Sequence, residues 1–188
     1  SYYLVSAGAW TEYDSDYLRK SLEKSKIEDV QVYDCTNQWG VFSIAGPNTR
    51  EVLKDLIVSE DPIKTLSNKE FPWLTYRDIE IGMCPVRALR VAYTGELGWE
   101  LHHPIEMQTY LLDTILETGK KYNLKLVGGR AQNWLRQEKS YRAFGSDLGR
   151  DAGPFESNLS RFVDLSKNFL GKVELEKRKL EYLCITLL

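Results

Sequence analysis

The sequence predicts an α+β protein. Segments with strand-like alternation and segments with helical spacing follow one another irregularly, without the strict strand–helix–strand order of a doubly wound sheet. The 188 residues are 43% hydrophobic and 28% charged, an ordinary globular composition that can bury a core. Because the sequence shows no internal repeat and no low-complexity linker, its length favours one principal domain.

Turn signals and apolar spacing divide the chain into predicted strands and helices. The predicted strands are 2–7, 30–36, 39–45, 74–81, 86–93, 99–103, 161–165 and 180–188. The predicted helices are 14–26, 47–57, 105–122 and 128–140. Asp14 is the expected N-cap of the first helix, and Pro47 stands in the first turn of the second. The glycine-rich residues 144–158 predict a loop.

The charge and cysteine content restrict the class of protein. A net charge of −2 does not favour a nucleic-acid or anionic-membrane partner. No run of about 18 apolar residues predicts a membrane span. Cys35, Cys84 and Cys184 are odd in number and far apart, which favours a reducing compartment over a disulfide framework. Both ends fall inside strand-like runs, so we expect a fragment of a longer protein.

The common catalytic motifs are missing from the sequence, which contains no GxGxxG after a strand, no GxxxxGK[ST] and no GxSxG. Its only histidines, His102 and His103, are adjacent, so a strand would send them to opposite faces. A metal site built on both is therefore not expected. Carboxylates and arginines remain as the candidate functional groups.

The stretch "RVAYTGELGWELH" places a carboxylate inside a predicted strand. Trp99 and Leu101 alternate toward one face, which sends Glu100 to the other. Glu100 either pairs with a neighbouring lysine or arginine, or accepts two parallel N–H bonds from a flat, amidine-like edge in a pocket. Tyr93, where the preceding strand turns, is either a core aromatic or the wall of that pocket.

Arg130 stands at the start of the predicted helix 128–140, beside an expected core-facing stripe of Ala131, Trp134 and Leu135. Because the helix dipole does not favour a cation there, another contact is expected to hold Arg130. Arg136 and Arg142 are interpreted as surface or salt-bridging groups.

Five stretches, in this order along the chain, resemble one protein family. They are "VFSIAGPNTREVL", "VRALRVAYTGELGWELHHP", "GGRAQNWLRQEKSYRAFGSDL", "GPFESNLSRFVDL" and "NFLGKVEL". They resemble the folate-binding aminomethyltransferase family of the glycine-cleavage T-protein. The forms "GELGWELH" and "RQEKSYRAFGSDL" are more similar to its dimethylglycine/sarcosine dehydrogenase branch, in which this domain follows a flavin domain.

The resemblance implies a fold and a set of site residues. The fold would be part of a three-subdomain cloverleaf, with mixed or antiparallel sheets and packed helices around a central tetrahydrofolate channel. Glu100 would hold the aminopyrimidine edge of the pterin, Arg130 would contact folate, and Tyr93 would line the pterin pocket. Tetrahydrofolate is the implied cofactor, and FAD is implied only if a flavin domain is fused in the parent chain.

The sequence also departs from the family pattern. The catalytic aspartate of the family is expected upstream of this chain, so no catalytic residue is assigned here. Ser6 stands where the family often has an asparagine, so one polar contact to folate that the family would make is not expected here. We expect residues 1–178 to form the central part of the folate-binding domain, and residues 179–188 to begin a truncated C-terminal barrel domain.

The function implied by the resemblance is tetrahydrofolate-dependent transfer of an aminomethyl or methylene unit. The expected partners are folate and a methylamine-type substrate, with no nucleic acid and no membrane. The expected compartment is the cytoplasm, or the mitochondrial matrix in a eukaryote. Two alternatives stay open: a non-catalytic folate-binding or regulatory module, and a folate-dependent demethylase of another methyl donor. The oligomeric state is not predicted.

Overall fold

A four-stranded antiparallel sheet forms the centre of the molecule in the computed structural model, which describes residues 1–178 and 182–185. The strands are β1 (Trp39–Ala45), β2 (Tyr76–Ile81), β3 (Cys84–Leu89) and β4 (Gly98–Pro104). Their spatial order is β1-β4-β3-β2, so β4 lies inside the sheet although it comes last in the chain. A two-residue turn at Gly82 and Met83 joins β2 to β3 as a hairpin.

Six α-helices accompany the sheet in the described part of the chain. They are α1 (Thr11–Ser25), α2 (Thr49–Lys54), α3 (Pro62–Thr65), α4 (Gln108–Gly119), α5 (Gly129–Glu138) and α6 (Lys172–Lys177). Short 3-10 turns lie at 8–10, 36–38, 105–107, 120–122 and 160–162. No described helix is both long and apolar enough to cross a membrane. The mixture of helices with an antiparallel sheet confirms the α+β prediction.

The core lies on one face of the sheet, where α2 and α4 cover it. Trp99 and Leu101 of β4 are fully buried there, together with Leu53 of α2 and Leu111 of α4. Paired residues of antiparallel strands share a face, so the register identifies the residues on the opposite side. That opposite side, called the open face here, carries the residues Trp39, Val41, Ser43, Tyr76, Asp78, Arg87, Leu89, Glu100 and His102.

Several predicted strands are wrong. Residues 2–7 and 30–35 form no regular structure, residue 36 begins a 3-10 turn, and 161–165 contains only the end of another 3-10 turn. Apolar alternation produces a strand only where a neighbouring edge accepts its hydrogen bonds, and these segments pair with no strand in the described part of the chain. Of the predicted strand 180–188, residues 182–185 are not in a strand, and the remainder lies outside the described residues.

The predicted helices exist, with shifted ends. Helix α1 begins at Thr11, so Asp14 lies in its first turn and is not the N-cap. Pro47 precedes α2, whose N-cap is Asn48. The predicted stripe on α5 is wrong, because Trp134 is 66% exposed whereas Arg136 is 4% exposed. A guanidinium with several partners replaces the expected apolar side chains as the buried group of that helix.

Candidate functional site

Glu100 lies near the middle of the open face, on the interior strand β4. Its cross-strand partners are Ser43 on β1 and Leu89 on β3. The neighbouring residues Trp99 and Leu101 are buried on the core face, which confirms the alternation predicted from the sequence. The Glu100 side chain is 32% exposed, so its carboxylate is flanked by protein and still reaches solvent.

The partner of Glu100 is a histidine. His102 Nε2 lies 3.3 Å from Glu100 Oε2, and His102 Nδ1 lies 2.9 Å from the hydroxyl of Tyr3. No lysine or arginine forms an ion pair with Glu100 in the described part of the chain. Glu100 therefore does not form, within the described residues, the salt bridge to a lysine or arginine that the sequence left open. Spacing alone could have found His102, because residues two apart on a strand share a face.

Tyr93 lies in the connection between β3 and β4. The chain turns there at Gly95, whose φ is +75°, a backbone conformation that glycine adopts without steric cost. The Tyr93 hydroxyl donates to the carbonyl of Arg142 at 2.7 Å, and its ring stacks on Tyr141 with centroids 6.1 Å apart. The residue is 38% exposed, so Tyr93 is neither a core aromatic nor a fully solvated one. Burial raises the pKa of this phenol, and nearby Arg136 opposes the rise.

The loop that contacts Tyr93 is held by an ion pair between a buried arginine and a partly buried aspartate. Arg136 of α5 donates to the Tyr141 carbonyl at 2.9 Å and pairs with the carboxylate of Asp147. Asp147 also accepts from the backbone N–H of Ala143 at 3.0 Å. Burial alone would raise the pKa of Asp147, but these hydrogen bonds outweigh it and hold the pKa below its usual value. Arg136 does form the salt bridge expected of it, but in the interior and not on the surface.

Arg142 connects the loop after α5 to residues later in the chain. Its guanidinium donates to the Ser157 carbonyl at 3.0 Å and to the Cys184 carbonyl at 2.7 Å. The Ser157 hydroxyl in turn donates to the Asp147 carbonyl at 2.7 Å. The position of Tyr93 thus depends on residues far along the chain, which no local sequence pattern reveals.

Arg130 lies in the first turn of α5 and is exposed. Within the described residues, no hydrogen bond or ion pair connects it to Glu100, to Tyr93 or to another side chain. The structure therefore holds Glu100 and Tyr93 through protein contacts, whereas residues 1–178 and 182–185 provide no hydrogen bond or ion pair for the Arg130 guanidinium. The contact expected to hold Arg130 is not made by the described part of this chain.

The two histidines lie on opposite faces of β4, as the alternation predicts. His103 faces the core, where its Nδ1 lies 2.9 Å from the Leu101 carbonyl and its ring stacks on Phe42. No group of three or more potential metal ligands occurs among residues 1–178 and 182–185. An open groove bordered by Arg150, Asp151 and α6 lies elsewhere on the surface and includes none of the candidate site residues.

The arrangement on the open face is suited to recognising a flat donor edge. One carboxylate projects from a rigid interior strand, and its side chain is partly shielded from water. Two parallel N–H groups match the two oxygens of a carboxylate, a geometry that gives the strong bidentate hydrogen bonds of ion-paired groups. Tyr93, within the β3–β4 connection, offers a partly exposed aromatic side chain.

The chain is similar to several larger enzymes. It is 36% identical to mitochondrial dimethylglycine dehydrogenase of Homo sapiens, over 98% of this chain and 22% of that protein. It is 32% identical to mitochondrial sarcosine dehydrogenase of Mus musculus, over 95% of this chain and 19% of that protein. It is 34% identical to an aminomethyltransferase of Caldanaerobacter subterraneus subsp. tengcongensis, over 95% of this chain and 46% of that protein. The chain thus spans about a fifth of the two dehydrogenases.

Among solved structures, the chain resembles the heterotetrameric sarcosine oxidase from Corynebacterium sp. U-96 in complex with pyrrole 2-carboxylate. The TM-score is 0.47 at 18% identity, over 60% of this chain and 54% of that chain.

The family assignment covers most of the sequence. The family model described as the GCVT N-terminal domain matches residues 1–167. The resemblance to aminomethyltransferases and to dimethylglycine and sarcosine dehydrogenases, expected from five separate stretches, is confirmed by these relatives. The chain belongs to the GCVT N-terminal domain family.

Proposed function

We propose that this chain binds tetrahydrofolate on the open face and serves folate-dependent one-carbon transfer. The observation that carries the proposal is the carboxylate of Glu100, which the register of an interior strand directs away from the core. Membership of a family that includes aminomethyltransferases and dimethylglycine and sarcosine dehydrogenases supports this ligand class.

Glu100 would hold the aminopyrimidine edge of the pterin. That edge presents adjacent N–H donors in one plane, and a carboxylate accepts both. His102 engages Oε2 from within the protein, and each carboxylate oxygen has further acceptor capacity for a ligand. A hydrogen bond to a charged group in such a setting contributes about 1.5–3 kcal/mol. The donor pattern of the ligand thus fits the acceptor that the sheet presents.

Tyr93 and Arg130 would complete the contacts made by this chain. The partly exposed ring of Tyr93 would form one wall of the pterin pocket. Arg130, which has no protein partner in the described residues, would donate to a polar or anionic group of folate. These two roles rest on the position of each residue in the family motifs and on its exposure.

Bound tetrahydrofolate supplies amine nitrogens that accept a one-carbon unit. The residues of this chain would orient the pterin and limit the access of water, which is how binding groups lower the barrier to transfer between two bound molecules. The one-carbon donor would be a methylamine-type compound in a dehydrogenase parent, and a flavin would be needed there to oxidise it. In a eukaryote, such a parent would operate in the mitochondrial matrix, as the names of two relatives suggest.

Within that parent, residues 1–178 would form the central part of a cloverleaf folate-binding domain, and residues 179–188 would lead into a C-terminal barrel.

Calorimetric titration of the 188-residue chain with 5-formyl-tetrahydrofolate tests the binding proposal. Glu100→Gln removes the charge and keeps the size, so the affinity is expected to fall roughly ten- to a hundredfold. Glu80→Gln is the matched control, because Glu80 is an exposed carboxylate of β2 on the same face of the sheet. The control is expected to bind as the unmodified chain does.

Two results would contradict the proposal. The first is absence of saturable binding by a chain whose cooperative unfolding shows that it is folded. The second is binding that Glu100→Gln and Glu80→Gln leave equally unchanged. In the second case Glu100 would not be the pterin anchor, even though the chain binds folate.

A further inference from the structure

A chain of hydrogen bonds leads from the N-terminal segment to Glu100. Tyr3 lies over the open face, with its hydroxyl 2.9 Å from His102 Nδ1, and His102 Nε2 lies 3.3 Å from Glu100 Oε2. His102 is fully buried, whereas Tyr3 is 41% exposed. A polar ring so enclosed depends on these partners and not on water.

The chemistry of the three groups fixes the direction of both bonds. A carboxylate has no proton to donate, so the proton between Glu100 and His102 belongs to Nε2. In the neutral ring Nδ1 is then an acceptor, and the Tyr3 hydroxyl donates to it. Burial raises the pKa of Tyr3 against the opposing effect of Arg87, so this hydroxyl keeps its proton at neutral pH. Glu100 thus sets the tautomer of the ring, and the Tyr3 hydroxyl satisfies the acceptor nitrogen that this tautomer leaves.

The ring of Tyr3 is itself held in place. It lies 6.0 Å from the Trp39 ring and 5.6 Å from the His102 ring, measured between centroids. The guanidinium of Arg87 sits 5.4 Å from its centre, and Asp78 binds that guanidinium at 2.9 Å. Arg87 is also the cross-strand partner of His102. The N-terminal segment is thus attached to the sheet next to the candidate ligand carboxylate.

We propose that Tyr3 and His102 are positioning residues for folate recognition. The Tyr3 hydroxyl holds the imidazole through Nδ1, and His102 then holds Oε2 of Glu100 so that the carboxylate faces its ligand in one orientation. This inference rests on the proposed role of Glu100. It adds that the N-terminal segment, which forms no strand, contributes to the site through one hydroxyl group.

The first test is the tautomer of His102 in the chain without ligand. Nitrogen-15 NMR of the imidazole distinguishes a protonated nitrogen from an unprotonated one. We expect Nε2 protonated and Nδ1 unprotonated in the unmodified chain, and in Tyr3→Phe a changed Nδ1 resonance that reports the loss of its hydrogen bond. Tyr2→Phe is the matched control, because the neighbouring Tyr2 is 97% exposed. A His102 spectrum that Tyr3→Phe leaves unchanged would overturn the inference.

The second test is the coupling between Tyr3 and Glu100 in binding of 5-formyl-tetrahydrofolate. Tyr3→Phe is expected to weaken binding roughly two- to tenfold in the unmodified chain and to have no further effect in Glu100→Gln. A purely structural role for the hydroxyl would weaken binding by the same factor in both backgrounds, which would overturn the inference.

The outcomes separate this inference from the proposed function. If Glu100→Gln weakens binding and Tyr3→Phe does not, only the positioning role fails. If the unmodified chain does not bind 5-formyl-tetrahydrofolate, or if Glu100→Gln binds it equally well, the proposed function fails and the positioning role fails as well.

Discussion

The orientations of Glu100 and Tyr93 have different origins, although both residues lie in or near the connection between β3 and β4. The direction of Glu100 follows from strand register, since shifting β4 by one residue would expose Trp99 and bury the carboxylate. The direction of Tyr93 follows from tertiary contacts with Tyr141 and the Arg142 carbonyl. A substitution that loosens the loop after α5 is therefore expected to disturb Tyr93 and to leave Glu100 in place.

Asp147→Asn tests the loop contacts at the level of one carboxylate. The folded state lowers the pKa of Asp147. The stability that this carboxylate contributes is therefore complete above the unfolded-state pKa of about 3.9, and it is lost as the pH falls through the folded-state pKa. We expect the variant to lose about 1.5–3 kcal/mol of unfolding free energy at neutral pH. The difference from the unmodified chain should shrink as the pH falls below the unfolded value.

Urea denaturation across that pH range provides the measurement. Asp29→Asn, at an exposed bend, is the control and should show a small difference at every pH. If the loss of unfolding free energy in Asp147→Asn stays the same from neutral to acid pH, the Arg136–Asp147 ion pair is not the cause of that loss.

At the scale of elements, the connection between β3 and β4 determines the position of Tyr93, one of the candidate site residues. The chain leaves β3 at Leu89 and enters β4 at Gly98, and the turn between them requires the left-handed conformation at Gly95. A Cβ at this position would lie 2.5 Å from Cγ of Lys139, just beyond α5. The connection therefore approaches the end of α5 closely, next to the loop that holds Tyr93.

Gly95→Ala tests this approach. The positive φ and the contact with Lys139 are expected to cost roughly 1–2 kcal/mol of unfolding free energy. Gly128→Ala is the matched control, because Gly128 has a φ of −82° and a Cβ there would meet nothing within 4 Å. Chemical denaturation of both variants gives the comparison. Equal stability of the two variants would mean that the turn does not need glycine at position 95.

The elements also show what local sequence pattern can predict. The bounds of β1 coincide with its prediction, and those of β4 differ by one residue at each end, because both strands alternate regularly and pair with each other. Residues 2–7 have a similar apolar content, yet Tyr3 contributes a ring and a hydroxyl to the sheet face instead of a paired backbone. Pattern identifies residues that favour a strand, but only the rest of the fold provides the partner edge.

At the scale of the whole molecule, the fold is a sheet with one covered face and one open face. Helices α2 and α4 and the core occupy the covered face, while Val41 and Tyr76 on the open face are 46% and 62% exposed. The face of Glu100 could be predicted from sequence, because alternation is a local property. Buried Arg136 was not predicted, because a charged residue enters the interior only when a distant partner such as Asp147 accompanies it.

The candidate site shows the same difference between residues that local pattern predicts and contacts that only the fold reveals. The motifs singled out Glu100, Tyr93 and Arg130, and the structure fixes the first two through protein contacts. Their roles toward folate remain proposals. Tyr3 was missed because it lies about a hundred residues before its partner His102, and hydrogen bonds over such a separation have no local signature. His102 itself could have been found, because it lies two residues from Glu100 on the same strand.

The most direct test of the central claim pairs a change in the ligand with a change in the protein. Calorimetry would compare 5-formyl-tetrahydrofolate with its analogue that carries a methyl group in place of the 2-amino group, in the unmodified chain and in Glu100→Gln. If Glu100 binds the aminopyrimidine edge, the unmodified chain should prefer the amino compound roughly ten- to a hundredfold, and Glu100→Gln should lose most of that preference. A preference of equal size in both proteins would show that another group reads the amino edge, and would contradict the assignment of Glu100.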